Sequence, residues 1–308
     1  VDVGNSHLSF STQRGNGLHQ VSVGWSPDSG GFLLPDRSAP VDLSAFLRQS
    51  PIKDWLTEAD ADIAVSGDLA AGPIGTSVSW WISSVNPPAA EPLKAVLHQH
   101  RSSDGVFNID QAKIPLDDDL LNRTQTGVDR LLAAWFASRH LSTVPTLGSA
   151  AFPGVIVVDA GSAVTVDWVD QAGVFRGGMI YPGLRLAAES LHTGTAALPL
   201  ITAMTLMTTP PAVGRATLAA MEAGLYWSQW GGLCGAVEAL QQFAAARSPK
   251  PGGSANETVR PAIVVTGGGI RPFQSLLPPH WNWEPQLMPR AILKFAHWST
   301  QETRGGTH

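Results

Sequence analysis

One short pattern occurs twice in this chain of 308 residues: an aspartate, a glycine two positions later, and then small polar residues. The first copy is DVGNS at 2–6 and the second is DAGS at 159–162, and Ser9 and Thr165 follow them at equal distances. Glycine lets the backbone approach a phosphate and expose its amides. The aspartate can hold a cation, or a water bound to that cation, beside the phosphate. The pattern therefore predicts two phosphate-binding turns.

A third glycine-rich turn follows a later apolar run. The segment TGGG at 266–269 comes directly after PAIVV. Backbone without side chains would let an adenine or ribose lie flat against Gly267 and Gly268. The alternative interpretation is a tight connection between a strand and a helix.

These turns need strands to position them. The run VIVVDAG at 155–161 predicts a buried central strand, and 164–169 and 173–180 predict its antiparallel neighbours. In the first half, residues 1–10 predict a hairpin that turns at Gly4 and Asn5, 21–25 a second strand, and 61–66 and 79–84 further strands. The last predicted strand begins at residue 261, in the apolar run before the glycines of 261–270.

Helices are predicted from apolar periodicity. The predicted ranges are 42–58, 89–100, 126–140, 183–192, 215–230, 232–247 and 291–298. Loops are predicted at 67–76 and 248–257, and an irregular tail at 302–308. The second half repeats the plan of the first, which predicts a duplicated α/β unit.

Composition excludes several classes of protein. The net charge is −5, which argues against a general nucleic-acid or membrane-surface binder. No apolar run is long enough to span a membrane, and no signal peptide is evident. The single cysteine, Cys234, excludes an internal disulfide and fits a reducing compartment. We therefore expect a cytoplasmic protein that binds neither nucleic acid nor membrane, and we expect natural residues before Val1.

The three turns together resemble the superfamily of acetate kinase, sugar kinases, Hsp70 and actin. Within it, the chain resembles the type III pantothenate kinase family over nearly its whole length. Four segments carry the resemblance: DVGNSHLSF at 2–10, TGVDR at 126–130, VVDAGSAVTVDW with GGMIYPGL at 157–184, and TGTAALP at 193–199.

The resemblance implies an α/β fold of duplicated ribonuclease H-like (actin-like ATPase) domains, each a mixed sheet flanked by helices. The expected domains are residues 1–120, with the first phosphate turn, and 121–308, with the remaining motifs. The implied activity is phosphorylation of pantothenate by ATP, at the start of coenzyme A synthesis. The implied assembly is a homodimer.

The resemblance also implies roles for residues of the acceptor site. Asp129 would be the general base that takes the proton of the pantothenate hydroxyl. Without the resemblance, an aspartate in a first helical turn would only complement the helix dipole. Gly127, Val128 and Arg130 would line the acceptor site, where a guanidinium suits the pantothenate carboxylate. Thr195 would contact the acceptor, or alternatively cap a helix or turn.

The nucleotide residues follow from the same resemblance. Asp159 would bind a monovalent cation, potassium or ammonium, and magnesium would arrive with ATP. Asp167 closes the second motif and is expected to have a structural or supporting role. The residues expected at ATP are Asp2, Val3, Gly4, Asn5, Ser6, His7, Leu8, Ser9, Ser162, Gly267 and Gly268.

Three departures from the family pattern concern affinity and acceptor identity. Serine replaces threonine at Ser6 and Ser162, which keeps the hydroxyl. Leu120 stands where the family has a tyrosine that contacts pantothenate, so that side of the pocket becomes apolar. Ala216 replaces the asparagine of a GxNT-like motif. Two alternatives therefore stay open: a catalytically weak relative acting as a regulatory accessory factor, and a superfamily kinase for another small alcohol.

Overall fold

The computed structural model describes residues 1–3, 7–14, 17–26, 31–33, 40–41, 79–100, 102, 104–141, 143–145, 152–201, 206–247 and 260–305. It is an α/β structure with mixed sheets flanked by helices, as predicted. The chain divides into two compact units. The first comprises Val1–Ile114, Gly127–Asp129 and Met288–His308, and the second comprises Pro115–Thr126 and Arg130–Leu287.

The first unit contains a sheet of seven strands. They are β1 (Asp2–Val3), β2 (His7–Arg14), β3 (Gly17–Ser26), β4 (Gly31–Leu33), β5 (Pro40–Val41), β6 (Ser79–Ser84) and β7 (Gly105–Asn108). Their order is β5-β4-β3-β2-β1-β6-β7, with β1 parallel to β6 and β6 parallel to β7, and the other pairs antiparallel. Helix α1 (Pro87–His100) connects the parallel strands β6 and β7.

The second unit contains a sheet of six strands. They are β8 (Asp117–Asp118), β9 (Val155–Ala160), β10 (Ala163–Val169), β11 (Val174–Pro182), β12 (Ala262–Thr266) and β13 (Trp281–Trp283). Their order is β13-β12-β9-β10-β11-β8. The remaining helices are α2 (Val128–Arg139), α3 (Leu184–Thr193), α4 (Thr217–Arg247) and α5 (Leu287–Gly305).

The two sheets share one pairing scheme. In each, three consecutive strands run antiparallel: β1, β2 and β3 in one sheet, and β9, β10 and β11 in the other. In each, the first of these strands also pairs in parallel with a later strand, which pairs in parallel with the next one. The aspartates of the two predicted turns, Asp2 and Asp159, therefore occupy equivalent strands.

Apolar side chains at alternate positions of β9 and β10 form part of the core of the second unit. Ile156, Val158, Val164 and Val166 point to one face, where they pack with apolar residues of α4. Side chains alternate between the two faces of a strand, so Asp159, Thr165 and Asp167 share the opposite face. The fold thus separates the polar residues of the second motif from this core.

Two helix predictions were wrong. The segments 215–230 and 232–247 were predicted as two helices, but α4 is continuous from Thr217 to Arg247. Two adjacent glycines cost about 1 kcal/mol each inside a helix. Burial of Tyr226 and Leu233 on either side of Gly231-Gly232 offsets that cost.

The last helix is longer than predicted at both ends. It begins at Leu287, because Pro289 lies in the first turn, where a missing N–H costs nothing. It continues to Gly305, so the expectation of an irregular tail was wrong for 302–305. Contacts between residues four apart, such as the 2.8 Å hydrogen bond from Thr300 Oγ1 to the Ala296 carbonyl, support its last turns.

The strand predictions at 79–84, 155–161, 164–169 and 173–180 are confirmed, and β3 is longer than the predicted 21–25. Helices are confirmed at 89–100, 126–140 and 183–192, each within a few residues. The predictions for 42–58, 61–66, 67–76 and 248–257, and the turn at Gly4 and Asn5, lie outside the described residues. In the described part of the chain, no helix is long and apolar enough to cross a membrane.

Candidate active site

Asp2 lies on a short strand between two others. Its backbone is in register with Ser83 of β6 on one side and Ser9 of β2 on the other. Asp2 and Ser83 stand near the carboxyl ends of parallel strands, the edge at which open α/β sheets bind ligands. Val3, His7 and Leu8 belong to the same strand pair. Gly4, Asn5 and Ser6 lie outside the described residues.

The charge of Asp2 is disfavoured where it lies. The pKa of Asp2 is raised from 3.8 to about 6: burial and, to a smaller extent, the negative charge of Asp129 raise it, while the N-terminal ammonium and the Ser83 hydroxyl act in the opposite direction. Asp129 is therefore close enough for its charge to repel that of Asp2. Two carboxylates in this arrangement favour a bound cation or a shared proton.

The first turn of α2 presents Asp129. Val128 is 3% exposed and anchors the turn, whereas Asp129 is partly exposed. A Cβ on Gly127 would collide with Asp129 Oδ1 and would lie 3.5 Å from Val85 Cγ1. The absence of a side chain at Gly127 thus makes room for the carboxylate of Asp129 over the backbone. The helix dipole at this end favours the ionised form.

Arg130 is held by an aspartate of the second motif. Its Nε donates to Asp167 Oδ1 at 3.1 Å and Oδ2 at 3.0 Å, and its Nη2 also donates to Oδ1. The guanidinium carbon lies 5.9 Å from the centre of the Phe175 ring. The described contacts of Arg130 are therefore structural, and its predicted contact with an acceptor carboxylate stays a prediction.

The other predicted acceptor residues lie on two surface segments of the second unit. The Thr195 hydroxyl donates to the Leu191 carbonyl at 2.6 Å, so it caps the end of α3. The Leu120 amide donates to Asp118 Oδ1 at 3.2 Å. A Cβ on Gly177 would lie 3.6 Å from Leu120 Cδ2. Leu120 therefore stands beside the first glycine of GGMIYPGL.

The second aspartate turn is packed against the other glycine segments. A Cβ on Gly183 would collide with the Gly161 carbonyl, and the Gly183 amide donates to the Ser162 carbonyl at 2.9 Å. Asp159 is in register with Thr266 at the end of β12. The structure therefore brings the motifs at 159–162, 177–184 and 266–269 together.

Gly267 needs to be glycine for a local reason. Its φ of 91° lies in the region that side chains disfavour, and a Cβ there would be 2.5 Å from Asp159 Oδ1. A Cβ on Gly268, in contrast, would meet nothing within 4 Å. The tight connection considered as an alternative is thus present at Gly267, and open space remains above Gly268.

Two residues near the candidate site received no definite role from the sequence. Ser83 stands in register with Asp2, and the signal was its position near the end of a strand, followed by Ser84 and Asn86. Asp167 was left without a definite partner. Its position two residues after Thr165 on β10 placed it on the polar face, but no local pattern connected it to Arg130.

Comparison with known proteins gives the family. The family model described as type III pantothenate kinase matches residues 43–240. A type III pantothenate kinase of Alkalilimnicola ehrlichii is 37% identical over 299 residues, which cover 96% of each chain. One of Rhodopirellula baltica is 30% identical over 317 residues, which cover 95% of this chain and 96% of the relative. This chain belongs to the type III pantothenate kinase family.

Proposed function

We propose that this protein transfers the γ-phosphoryl group of ATP to the hydroxyl of pantothenate and yields 4'-phosphopantothenate, the first step of coenzyme A biosynthesis. Family membership over nearly the whole chain carries the proposal. The proximity of Asp129 to Asp2 supports the proposal, because the proposed base then stands beside the proposed first phosphate-binding turn.

Asp129 is the general base of the proposed reaction. Its carboxylate takes the proton of the pantothenate hydroxyl while the hydroxyl oxygen forms a bond to the γ-phosphorus. The bond from that phosphorus to the bridging oxygen breaks, and ADP leaves with its electron pair. In phosphoryl transfer such a residue mainly orients the nucleophile, so the low basicity of an aspartate at a helix N-terminus is sufficient.

The first turn holds the triphosphate. The proposed contacts come from Asp2, Gly4, Asn5 and Ser6, supported by Val3 and by the 7–9 segment of β2. Magnesium bound to ATP neutralises the phosphate charge, and a site with two repelling carboxylates suits such a cation. Ser162 and the backbone of Gly267 and Gly268 complete the nucleotide site in this proposal.

A monovalent cation, potassium or ammonium, binds at Asp159 in the proposal. Asp159 Oδ1 and the Ala160 carbonyl oxygen both converge on the position of a Cβ at Gly267. One carboxylate with carbonyl oxygens is a hard, weakly charged donor set, which suits such an ion. Within the described part of the chain, no group of three or more His, Cys, Asp or Glu side chains could hold a metal.

The acceptor site in this proposal is formed by Gly127, Val128, Arg130, Leu120 and Thr195. Leu120 gives the acceptor site an apolar side chain at the position where the family pattern has a tyrosine hydroxyl. The hydroxyl of Thr195 would have to exchange its bond to Leu191 for a bond to the acceptor, or serve through its position alone.

The proposed architecture is a pair of duplicated actin-like domains, 1–120 and 121–308, in a cytoplasmic homodimer. The common pairing scheme of the two sheets supports the duplication. Asp2 and Asp159 then hold the equivalent positions of the two repeats.

The test is ADP release from ATP by the purified protein, with and without pantothenate, in potassium and in sodium buffer. Pantothenate-dependent turnover that is faster in potassium is the expected result. Turnover that ignores pantothenate but responds to pantetheine or another small alcohol would assign a different acceptor. ATP binding without any turnover would point to the regulatory accessory role instead.

A further inference from the structure

The ion pair between Arg130 and Asp167 is among the most enclosed in the described part of the protein. The two side chains are 15% and 3% exposed, and three hydrogen bonds join them. Two of these bonds form the parallel arrangement that fixes a guanidinium in one orientation. Arg130 therefore has little rotational freedom.

Stability alone does not account for this pair. Removing two charges from water costs about as much as their attraction returns, so a buried ion pair contributes little net stability. Burial raises the pKa of Asp167, and the bonds from Arg130 and Thr165 act in the opposite direction. What a pair of this kind does supply is a defined geometry.

The surrounding strands make room for Asp167. A Cβ on Gly178 of β11 would collide with the Val166 carbonyl and lie 2.7 Å from Asp167 Oδ1. Thr165, two residues earlier on β10, contributes its hydroxyl to the same carboxylate. Asp167 is therefore held between Gly178 of the neighbouring strand β11 and Thr165 on the same face of β10.

Arg130 directly follows Asp129 in the first turn of α2. The first turns of helices lack half of their backbone hydrogen bonds and fray. Gly127, which directly precedes the helix, has no side chain that could hold this turn. A bidentate contact at Arg130 restrains the backbone of this turn, to which the adjacent Asp129 side chain is attached.

We infer that Asp167 is a positioning residue for phosphoryl transfer, acting through Arg130 on the orientation of Asp129. The inference rests on the proposed function. Loss of the Asp167 charge should lower the rate of the transfer step and leave nucleotide binding in place.

The test is Asp167→Asn, which keeps the shape of the side chain and removes its charge. We expect kcat per nucleotide-binding site to fall 10- to 100-fold, with the KM for ATP within threefold of wild type. Sites are counted by nucleotide titration, because a purely structural role would reduce their number or the Tm and leave kcat per site unchanged. Asp119→Asn is the matched control: it breaks the surface pair of Asp119 with Arg176 and should leave kcat within twofold.

Thr165→Val provides a second variant should Asp167→Asn fail to fold. It removes one support of the Asp167 carboxylate, and we expect a three- to tenfold loss of kcat per site. If the wild type is active and the folded variants have the same kcat per site as the wild type, only this inference is overturned. A wild type without pantothenate-dependent turnover would overturn the proposed function and this inference together.

Discussion

At the scale of single residues, the proposed site contains two aspartates whose charges repel each other. Asp2 is the first residue of a two-residue strand, and Asp129 lies in the first turn of a helix. Burial and the charge of Asp129 raise the pKa of Asp2 to about 6. The ionised form of Asp2 is therefore unfavourable in the free protein, and in the proposed function this charge is compensated by a cation that arrives with the nucleotide. This trade of stability for binding is typical of functional sites.

Asp129→Asn should abolish most of the activity. Loss of a general base in a positioned site lowers kcat by about 10²- to 10⁴-fold. Nucleotide affinity should stay within a few-fold of wild type, because the phosphates are bound elsewhere in the proposed site. Steady-state kinetics and nucleotide titration measure the two effects. Asp117→Asn, at the exposed first residue of β8, is the control. Unchanged turnover in Asp129→Asn would rule out the base assignment.

Asp2→Asn should stabilise the free protein near neutral pH. Because the pKa of Asp2 is raised on folding, the free energy of unfolding falls as the pH rises from 3.8 to about 6. Above that range the whole loss is present. Removing the charge should therefore add about 1–2 kcal/mol to the free energy of unfolding at pH 7.5. Denaturant unfolding at pH 7.5 and pH 4 measures the difference between variant and wild type.

At pH 4 the gain from Asp2→Asn should disappear, since Asp2 of the folded wild type is then protonated. Nucleotide affinity should fall in the same variant at pH 7.5. A variant that is less stable than wild type at pH 7.5 would contradict the electrostatic account of this site.

At the scale of elements, glycines determine how closely the strands and turns of the second motif approach. Gly178 lies against β10, Gly183 against the 161–162 turn, and Gly267 against Ala160 and Asp159. Each contact leaves no room for a Cβ. The sheet and its turns therefore pack closely at these three positions, and the glycines are required for packing independently of any ligand.

Gly267→Ala should destabilise the protein. The φ of 91° with ψ of 145° belongs to a region that is almost restricted to glycine, and a residue held there costs about 1–3 kcal/mol. Gly268→Ala is the neighbouring control, because open space surrounds its Cβ position. Thermal or denaturant unfolding compares the two, and equal stabilities would contradict the strain at Gly267.

At the scale of the whole molecule, the same strand pairing scheme occurs in both compact units. In each scheme the penultimate residue of the first strand is the aspartate of the repeated motif. In the second unit, large apolar side chains remain exposed on the segment that includes α3 and the residues after it. These are Leu186, Leu200, Met207, Val213 and Leu218. Exposed apolar residues of this size favour burial against another surface.

The proposed homodimer predicts the mass of the protein in solution. Light scattering coupled to size exclusion should give twice the 32.5 kDa of one chain at micromolar concentration. Replacing Val213, which is 76% exposed, by aspartate tests the contribution of this segment and should shift the mass toward that of one chain. A mass of 32.5 kDa for the wild type would exclude a stable dimer.

Local sequence patterns were enough to predict most of the described strands and the family. Alternation and apolar runs are local properties, and the aspartate and glycine motifs are short. The continuity of α4 was not predictable in this way, because Gly231 and Gly232 favour a break and only burial against the core opposes it. The pairing of Arg130 with Asp167, 37 residues away, was also beyond a local pattern. Tertiary structure decided these features because burial and charge proximity depend on which distant segments pack together.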